Sequence, residues 1–143
     1  MCIRDSFATI PGAEVASTLD RLIGDGTRAG GQVFFCNSGS EANECAIKLA
    51  RKWAGSDRHV IVSTLGSFHG RTYGSLSATG QLAKHKGFEP LVPGFEHIAY
   101  DDLAALDRAC GTEGVAAVIL EAIQGEAGVI EPSAGYLAGV RCV

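Results

Sequence analysis

The chain has 143 residues, a net charge of −4, 46% hydrophobic and 20% charged residues, which fits one domain with enough apolar material for a core. No Lys/Arg run exceeds two residues, which argues against a nucleic-acid partner held by a basic patch. Apolar runs fall far short of the roughly 20 residues that span a bilayer and no basic-then-apolar leader opens the chain, so we expect a cytoplasmic protein without membrane contact.

The first part of the chain predicts a helix, a strand and a second helix. "PGAEVASTLDRLIGDG" has apolar residues at helical spacing between Pro11 and Gly24. "QVFFC" is typical of a buried strand. "SEANECAIKLARKWAG" is a predicted amphipathic helix closed by Gly55. Its apolar positions are Ala42, Cys45, Ala46, Leu49, Ala50 and Trp53.

The rest of the chain continues the alternation of predicted strands and helices. "HVIVS", "HIAY" and "VAAVILE" predict strands, and "DDLAALDRACG" and "YLAGVR" predict helices. A glycine-rich loop follows "HVIVS" and becomes a short helix after Arg71, while the segment from residue 81 to 97 is expected to be irregular. This order predicts an α/β domain whose mostly parallel sheet has helices on both faces.

Both ends fit a complete domain poorly. We expect "MCIRDS", residues 1–6, to be a non-native or frame-shifted start, because it fits poorly with the helix that follows. About four strands would leave a sheet edge exposed, and the chain stops partway into a helix. We therefore expect residues 7–143 to be part of a larger domain, with N- and C-terminal parts of the parent protein missing.

The cysteines are expected to be free thiols in a reducing compartment. Their number is odd, and no Cys-x-x-Cys pair occurs. A zinc site or a disulfide framework would need closer spacing, so no metal site is expected.

Three loops that follow predicted strands carry candidate chemistry, since ligands of open α/β sheets bind beyond the carboxyl ends of the strands. The first is "NSGS", residues 37–40, before a helix whose first turn has free N–H groups. Gly39 allows close approach of a ligand and Ser40 adds a hydroxyl, which suits a phosphate. An ordinary N-cap at Ser40, with Glu44 near the capping-box position, explains the same residues equally well.

The second loop, "GSFHGRT", places Phe68, His69 and Arg71 among glycines. An exposed Phe68 would suit a flat ligand, and Arg71 could bind a carboxylate in bidentate geometry. The alternative is that Phe68 lies in the core and Arg71 is solvated. The loop is not a Gly-x-Ser-x-Gly elbow, because Phe68 stands at its centre.

The third loop, "EAIQGEAG", carries two carboxylates, Glu121 and Glu126. A pair of carboxylates at a strand end could do acid–base work, although two solvated loop glutamates are an equally good interpretation.

Together, "NSGSEANECAIKLAR", "SFHGRTYGSLSATG" and "LEAIQGEAGV" resemble the class III pyridoxal-phosphate-dependent aminotransferases of fold type I. Within the family, "FHGRT" and "PLVPGF" are most similar to the acetylornithine aminotransferases. The resemblance implies that Gly39 and Ser40 hold the cofactor phosphate, Phe68 stacks on the pyridine ring, and Arg71 binds the substrate α-carboxylate. Glu121 and Glu126 would lie near the substrate in a Glu-Pro-x-Gln-Gly-Glu motif, in which Ala122 replaces the usual proline.

The same resemblance implies a homodimer that uses pyridoxal 5'-phosphate to move an amino group from N-acetylornithine to 2-oxoglutarate in arginine biosynthesis. The Schiff-base lysine and the aspartate at the pyridine nitrogen are expected beyond this chain, so no catalytic residue is assigned and the chain alone is expected to be inactive. None of its lysines follows a strand in the expected context; they are Lys48, Lys52, Lys84 and Lys86.

Two alternatives remain open. One is a related ω-aminotransferase acting on ornithine, succinylornithine or 4-aminobutyrate. The other is a non-catalytic phosphate- or nucleotide-binding module, in which Phe68 and Arg71 have no defined task.

Overall fold

The computed structural model describes residues 9–23 and 31–143. Within these ranges five helices and three strands occur. The helices are α1 Ile10–Ile23, α2 Gly39–Ala54, α3 Tyr73–Ala78, α4 Leu103–Cys110 and α5 Tyr136–Val140, and the strands are β1 Val60–Thr64, β2 Phe95–Ile98 and β3 Val115–Val118. A short 3₁₀ helix, Leu82–His85, follows α3.

The sheet has β1 at its centre, in the order β2-β1-β3, and both pairings are parallel. Parallel strands need crossover connections, which here contain α3 between β1 and β2 and α4 between β2 and β3. The prediction of an α/β domain with a parallel sheet is confirmed. The carboxyl ends of the three strands consequently lie at one edge.

Helices cover both faces of the sheet because successive residues of β1 point in opposite directions. Ile61 packs with Ile47 of α2 and Ala78 of α3. Val62 packs on the other face with Leu106 of α4, beside Val140 of α5. These two small apolar clusters fix the helices relative to the strands, within the unit formed by residues 38–143.

The predicted strand "QVFFC" is wrong. Residues 32–36 have no regular structure, and the side chains of Phe34 and Phe35 are 71% and 43% exposed. The segment belongs to a separate compact unit, residues 1–37, whose described part contains α1 and no strand. A strand is stabilised by hydrogen bonds to a neighbour, and no partner strand exists within the described part of that unit.

Other boundaries shift by two or three residues. β2 begins at Phe95, because Phe95 pairs with Ile61 and Ile98 pairs with Thr64. β3 ends at Val118, so Glu121 lies three residues beyond the strand instead of at its end. Residues 1–6 and Gly24, which entered the predictions, lie outside the described residues.

The apolar face predicted for α2 is wrong, because none of its predicted positions is buried and the buried residue Ile47 was not among them. Ile47 is the buried residue of this helix, whereas Leu49 and Trp53 are 64% and 79% exposed. The helix meets the sheet and α3 through Ile47 and Ala50. Among the helices of residues 9–23 and 31–143, none combines the length and apolar character that a membrane span requires.

At the carboxyl end of β1, the backbone at Gly80 crosses close to the loop that follows the strand. The amide of Gly80 donates to the carbonyl of Ser67 at 3.0 Å, and the amide of Gly66 donates to the carbonyl of Gly80 at 3.1 Å. A Cβ atom at Gly80 would collide with the carbonyl oxygen of Thr64 and lie 2.8 Å from Leu65 Cα. Both obstacles are backbone atoms of the central strand and its loop, which cannot move aside without disrupting the sheet.

We therefore expect Gly80→Ala to lower the free energy of unfolding by about 1–3 kcal/mol, as overpacking does. Gly125→Ala is the matched control, because a Cβ atom there meets nothing within 4 Å. Urea unfolding followed by circular dichroism measures both. Equal stability of the two variants would contradict the crossing described above.

Candidate functional site

Helix α2 begins at the first candidate loop. Ser38 is its N-cap, and the Ser38 hydroxyl accepts from the amide of Glu41 at 3.3 Å. The alternative that placed the N-cap at Ser40 with Glu44 in a capping box is therefore wrong. The spacing Ser-x-x-Glu that typifies a capped helix start is met two residues earlier, by Ser38 and Glu41.

The first turn of α2 retains unused donors. Within the described residues, the hydrogen bonds at this turn leave the N–H groups of Gly39 and Ser40 without an acceptor. A Cβ atom at Gly39 would meet nothing within 4 Å, so the space beside this backbone is open. Open N–H groups at the positive end of a 16-residue helix suit an anionic group such as phosphate.

The second loop is hydrogen-bonded to this turn. The Asn43 side-chain amide donates to the carbonyl of His69 at 2.6 Å, and the Ser75 hydroxyl donates to the carbonyl of Ser40 at 2.9 Å. Gly70 has a φ of +128° and lies directly against the Ser40 side chain, where a Cβ atom would collide with Ser40 Oγ. The absence of a side chain at Gly70 thus allows the two loops to meet.

Glu44 of α2 caps the neighbouring helix α3. Its Oε1 accepts from Thr72 Oγ1 at 2.7 Å, from the amide of Gly74 at 2.8 Å and from the amide of Ser75 at 3.1 Å. Burial raises the pKa of Glu44, but these hydrogen bonds and the charge of Lys48 outweigh it, so the pKa lies below the usual 4.5. The carboxylate is therefore ionised at neutral pH and satisfies the first amides of α3.

The third loop joins the second through Glu121. The amide of Phe68 donates to Glu121 Oε2 at 3.2 Å, and Glu121 is half-buried. The Tyr100 hydroxyl lies 3.1 Å from the carbonyl oxygens of both Glu121 and Ala122. Ala122 stands where the family motif has proline, and the turn at this position is held by the side chain of Tyr100, which follows β2.

The Phe68 ring is half-buried and faces two cations. Lys84 Nζ lies 4.9 Å from the ring centroid and Arg71 Cζ lies 6.0 Å from it. Lys84 also forms an ion pair with Glu126 at 3.3 Å. Arg71 is exposed, and within the described part of the chain its guanidinium has no carboxylate partner.

His69 is buried behind this surface. Its side chain is 5% exposed, and Nε2 has no hydrogen-bond partner within the described residues. Burial, together with the charge of His97, lowers the pKa of His69 to about 4, so the ring is neutral at neutral pH. In the described ranges, no three His, Cys, Asp or Glu side chains are grouped to hold a metal ion.

The structure brings all six predicted site residues to one edge of the sheet. Gly39 and Ser40 are linked to the Phe68 loop through Asn43 and Ser75, and Glu121 is linked to Phe68 directly. Arg71 and Glu126 join them through the surroundings of the Phe68 ring.

Sequence reasoning missed three participants, which are Glu44, Lys84 and Gln124. Gln124 is 2% exposed, and its amide group donates to Leu65 O at 2.9 Å and to Thr64 Oγ1 at 3.3 Å. Each of the three contacts residues at least 28 positions away. No local spacing pattern could have revealed these partners.

Comparisons with known proteins identify the family. The family described as Aminotransferase class-III matches residues 1–143. Acetylornithine aminotransferase of Listeria monocytogenes is 53% identical over 139 residues, which are 97% of this chain and 32% of that protein. Acetylornithine aminotransferase of Xanthomonas campestris is 52% identical over 117 residues, covering 78% of this chain and 29% of that protein.

Solved structures show the same fold. Ornithine aminotransferase from Toxoplasma gondii superposes with a TM-score of 0.84 at 33% identity, over 99% of this chain and 34% of that one. An omega-transaminase from Thermomicrobium roseum has a TM-score of 0.82 at 31% identity, over 98% of this chain and 36% of that one.

The chain belongs to the class-III aminotransferases. The resemblance drawn from the three motifs is confirmed. The chain spans about a third of the length of the curated relatives that it matches.

We expect Glu44→Gln to lower the free energy of unfolding by about 1 kcal/mol at neutral pH, as loss of a helix cap does. Because the folded-state pKa of Glu44 is depressed, its stabilisation is complete above the usual 4.5 and disappears as pH falls through the folded-state value. Urea unfolding between pH 7 and pH 3 should show the two proteins converging in acid. Glu113→Gln, at an exposed position, is the control; an equal loss there would contradict the capping role.

Proposed function

We propose that this chain forms the phosphate- and ring-binding part of the active site of a pyridoxal-phosphate-dependent aminotransferase. One observation carries the proposal: three loop segments are joined at the carboxyl edge of a parallel sheet, by hydrogen bonds between residues 26 and 53 positions apart and by the Lys84–Glu126 ion pair. In the described part of the chain these segments carry open amides at the start of α2, the Phe68 ring, and the Arg71 guanidinium, which has no carboxylate partner there.

Gly39 and Ser40 are proposed to bind the cofactor phosphate through their backbone N–H groups, with the Ser40 hydroxyl assisting. The unused donors and the open space at Gly39 fit this group. Phe68 is proposed to stack on the pyridine ring. When bound, the cofactor supplies an electron sink for the carbanion formed at the substrate Cα.

Arg71, Glu121 and Glu126 are proposed to contact the substrate. A guanidinium binds a carboxylate through two parallel hydrogen bonds, and Arg71 is exposed for that purpose. Glu121 is fixed by the amide of Phe68, so its free oxygen has a defined direction. Glu126 already pairs with Lys84, which keeps its carboxylate close to the Phe68 ring.

The amino donor is proposed to be N-acetylornithine and the acceptor 2-oxoglutarate, in arginine biosynthesis. Support comes from relatives named acetylornithine aminotransferase at 52–53% identity. The solved neighbours named ornithine aminotransferase and omega-transaminase are 31–33% identical and represent the alternative donor classes. We propose a cytoplasmic homodimer for the complete protein, with residues 7–143 forming part of its large domain.

The lysine that binds the cofactor covalently, and the aspartate at its pyridine nitrogen, are proposed to lie outside this chain. Lys48 and Lys52 lie on α2, and Lys84 is held in an ion pair. Lys86 is exposed after the 3₁₀ helix.

The test of this function is formation of glutamate from 2-oxoglutarate by the complete gene product loaded with pyridoxal phosphate. We expect N-acetylornithine to support faster turnover than ornithine, succinylornithine or 4-aminobutyrate. A preference for one of those three would reassign the donor. Absence of turnover with all four, together with ATP displacing pyridoxal phosphate, would instead indicate a nucleotide-binding module.

Phe68→Leu should weaken cofactor binding about 2- to 10-fold, because a leucine retains bulk but cannot stack, and stacking contributes about 0.5–1.5 kcal/mol. Absorbance titration with pyridoxal phosphate measures the dissociation constant. Phe34→Leu, at an exposed position in the other unit, is the control. An unchanged dissociation constant for Phe68→Leu would remove the stacking role.

A further inference from the structure

The turn at the start of the third loop depends on one side chain from another part of the chain. Among the described residues, the carbonyl oxygens of Glu121 and Ala122 accept hydrogen bonds from the Tyr100 hydroxyl alone, each at 3.1 Å. The amides of Glu121, Ala122 and Ile123 donate to no acceptor within the same described ranges. Since a backbone without hydrogen-bond partners is free to rearrange, the Tyr100 hydroxyl is what holds this part of the backbone.

The two carbonyl oxygens approach the same hydroxyl although Glu121 and Ala122 are consecutive residues. Successive residues of an extended strand point in opposite directions, so the chain bends at this position. A hydroxyl has a single hydrogen to donate, which the two acceptors share. Because the bend sets the direction in which the Glu121 side chain leaves the backbone, the hydroxyl of Tyr100 controls where that carboxylate lies.

Tyr100 is itself held near the end of the same loop. Its ring packs edge to face on the buried ring of Tyr136, with 5.5 Å between the centroids. The next residue, Asp101, has a φ of +64°, and its Oδ1 accepts from the amide and the hydroxyl of Ser133 at 3.0 Å and 2.8 Å. Burial, which is the largest cause, and nearby acidic groups raise the pKa of Tyr100 above its usual 10.0, so at neutral pH the hydroxyl keeps the proton that it donates.

The Glu121 carboxylate has one oxygen occupied and one available. The amide of Phe68 donates to Oε2 at 3.2 Å, and Oε1 has no hydrogen-bond partner in the described part of the chain. A negative oxygen held beside the site attracts a cation. Of the two proposed substrates, the amino donor carries an ammonium group and the oxo acid carries none.

We propose that Tyr100 is a positioning residue, which holds the turn at Glu121 and Ala122 and so directs the Glu121 carboxylate toward the ammonium group of the amino donor. The proposal rests on the proposed function, because it specifies how one substrate-contacting residue of that site is held. Tyr100 itself touches neither substrate nor cofactor in this assignment. Ala122 stands at the proline position of the family motif, and alanine leaves φ free, so no covalent constraint at this turn duplicates the hydroxyl.

The experiment compares Tyr100→Phe with the wild type in the complete, cofactor-loaded protein. This variant removes the hydroxyl and keeps the ring that packs on Tyr136, so the fold is retained. We expect KM for the amino donor with the fastest turnover to rise about 3- to 10-fold, as loss of a hydrogen bond does, while kcat and KM for 2-oxoglutarate change by less than about twofold. No rise for the donor, or an equal rise for both substrates, would overturn the proposal.

Tyr73→Phe is the matched control, because it makes the same chemical change at an exposed tyrosine of α3. Within the described residues the Tyr73 hydroxyl makes no hydrogen bond, so this variant should leave both KM values at those of the wild type.

A second pair of variants tests whether Tyr100 acts through Glu121. In Glu121→Ala there is no carboxylate to direct, so adding Tyr100→Phe should change KM for the amino donor by less than about twofold. An effect of Tyr100→Phe as large in this background as in the wild type would show that the hydroxyl acts by another route, and the positioning role would be rejected.

Hydrogen exchange resolved to single residues gives a readout that needs no turnover. The Phe68 amide, which donates to Glu121, should exchange about 3- to 10-fold faster in Tyr100→Phe, whereas the Gly66 amide, which donates to Gly80, should exchange at the wild-type rate. Unchanged exchange at Phe68 would overturn the inference even if amino transfer is observed. Faster exchange at Phe68 in a protein that transfers no amino group would reject the proposed function and retain the positioning of Glu121 by Tyr100.

Discussion

The contact on which the site depends is the carboxylate of Glu44. This one group accepts hydrogen bonds from Thr72, Gly74 and Ser75, so it ties α2 to the start of α3. The fit is close, because a Cβ atom at Gly74 would lie 2.5 Å from Glu44 Oε2. The open amides at the start of α2 are thereby held at a fixed place relative to the loop that carries Phe68. A carboxylate that accepts several hydrogen bonds holds its partners more strongly than a neutral acceptor with a single hydrogen bond would.

Buried polar side chains, instead of apolar ones, pack at the carboxyl end of β1. Ser63 donates to Ala78 O at 2.6 Å, and Thr79 donates to Ser75 O at 2.9 Å. Gln124, in the third loop, donates hydrogen bonds to Thr64 and Leu65 in the same region. These side chains are at most 2% exposed, and satisfied buried polar groups fix one arrangement because every alternative leaves a donor or acceptor unpaired. The loop between β1 and α3 is consequently held from three sides.

Charge is distributed unevenly around the Phe68 ring. Glu121 accepts a hydrogen bond from the Phe68 backbone amide, while the cationic groups of Lys84 and Arg71 lie 4.9 Å and 6.0 Å from the ring centroid. The two cations make the surroundings of this ring positive, and the Lys84–Glu126 ion pair shows that a carboxylate is accommodated there.

The sequence by itself determined the fold class, because helix and strand periodicities are local. It also predicted that the loops carrying Phe68, Arg71, Glu121 and Glu126 meet, because the carboxyl ends of parallel strands lie at one edge. Gly39 and Ser40 reach that edge for another reason, since the strand predicted before them is absent from the described structure and Ser40 is held by Ser75. Sequence reasoning failed where the outcome depends on partners distant in the chain. Residues 32–36 have strand composition but no strand in the described structure, and Trp53 has helical spacing but is exposed. Only tertiary packing decided that Glu44 caps α3 instead of its own helix and that Lys84 meets Glu126, 42 positions away. Such contacts arise from how the elements pack together, which no short window of the chain encodes.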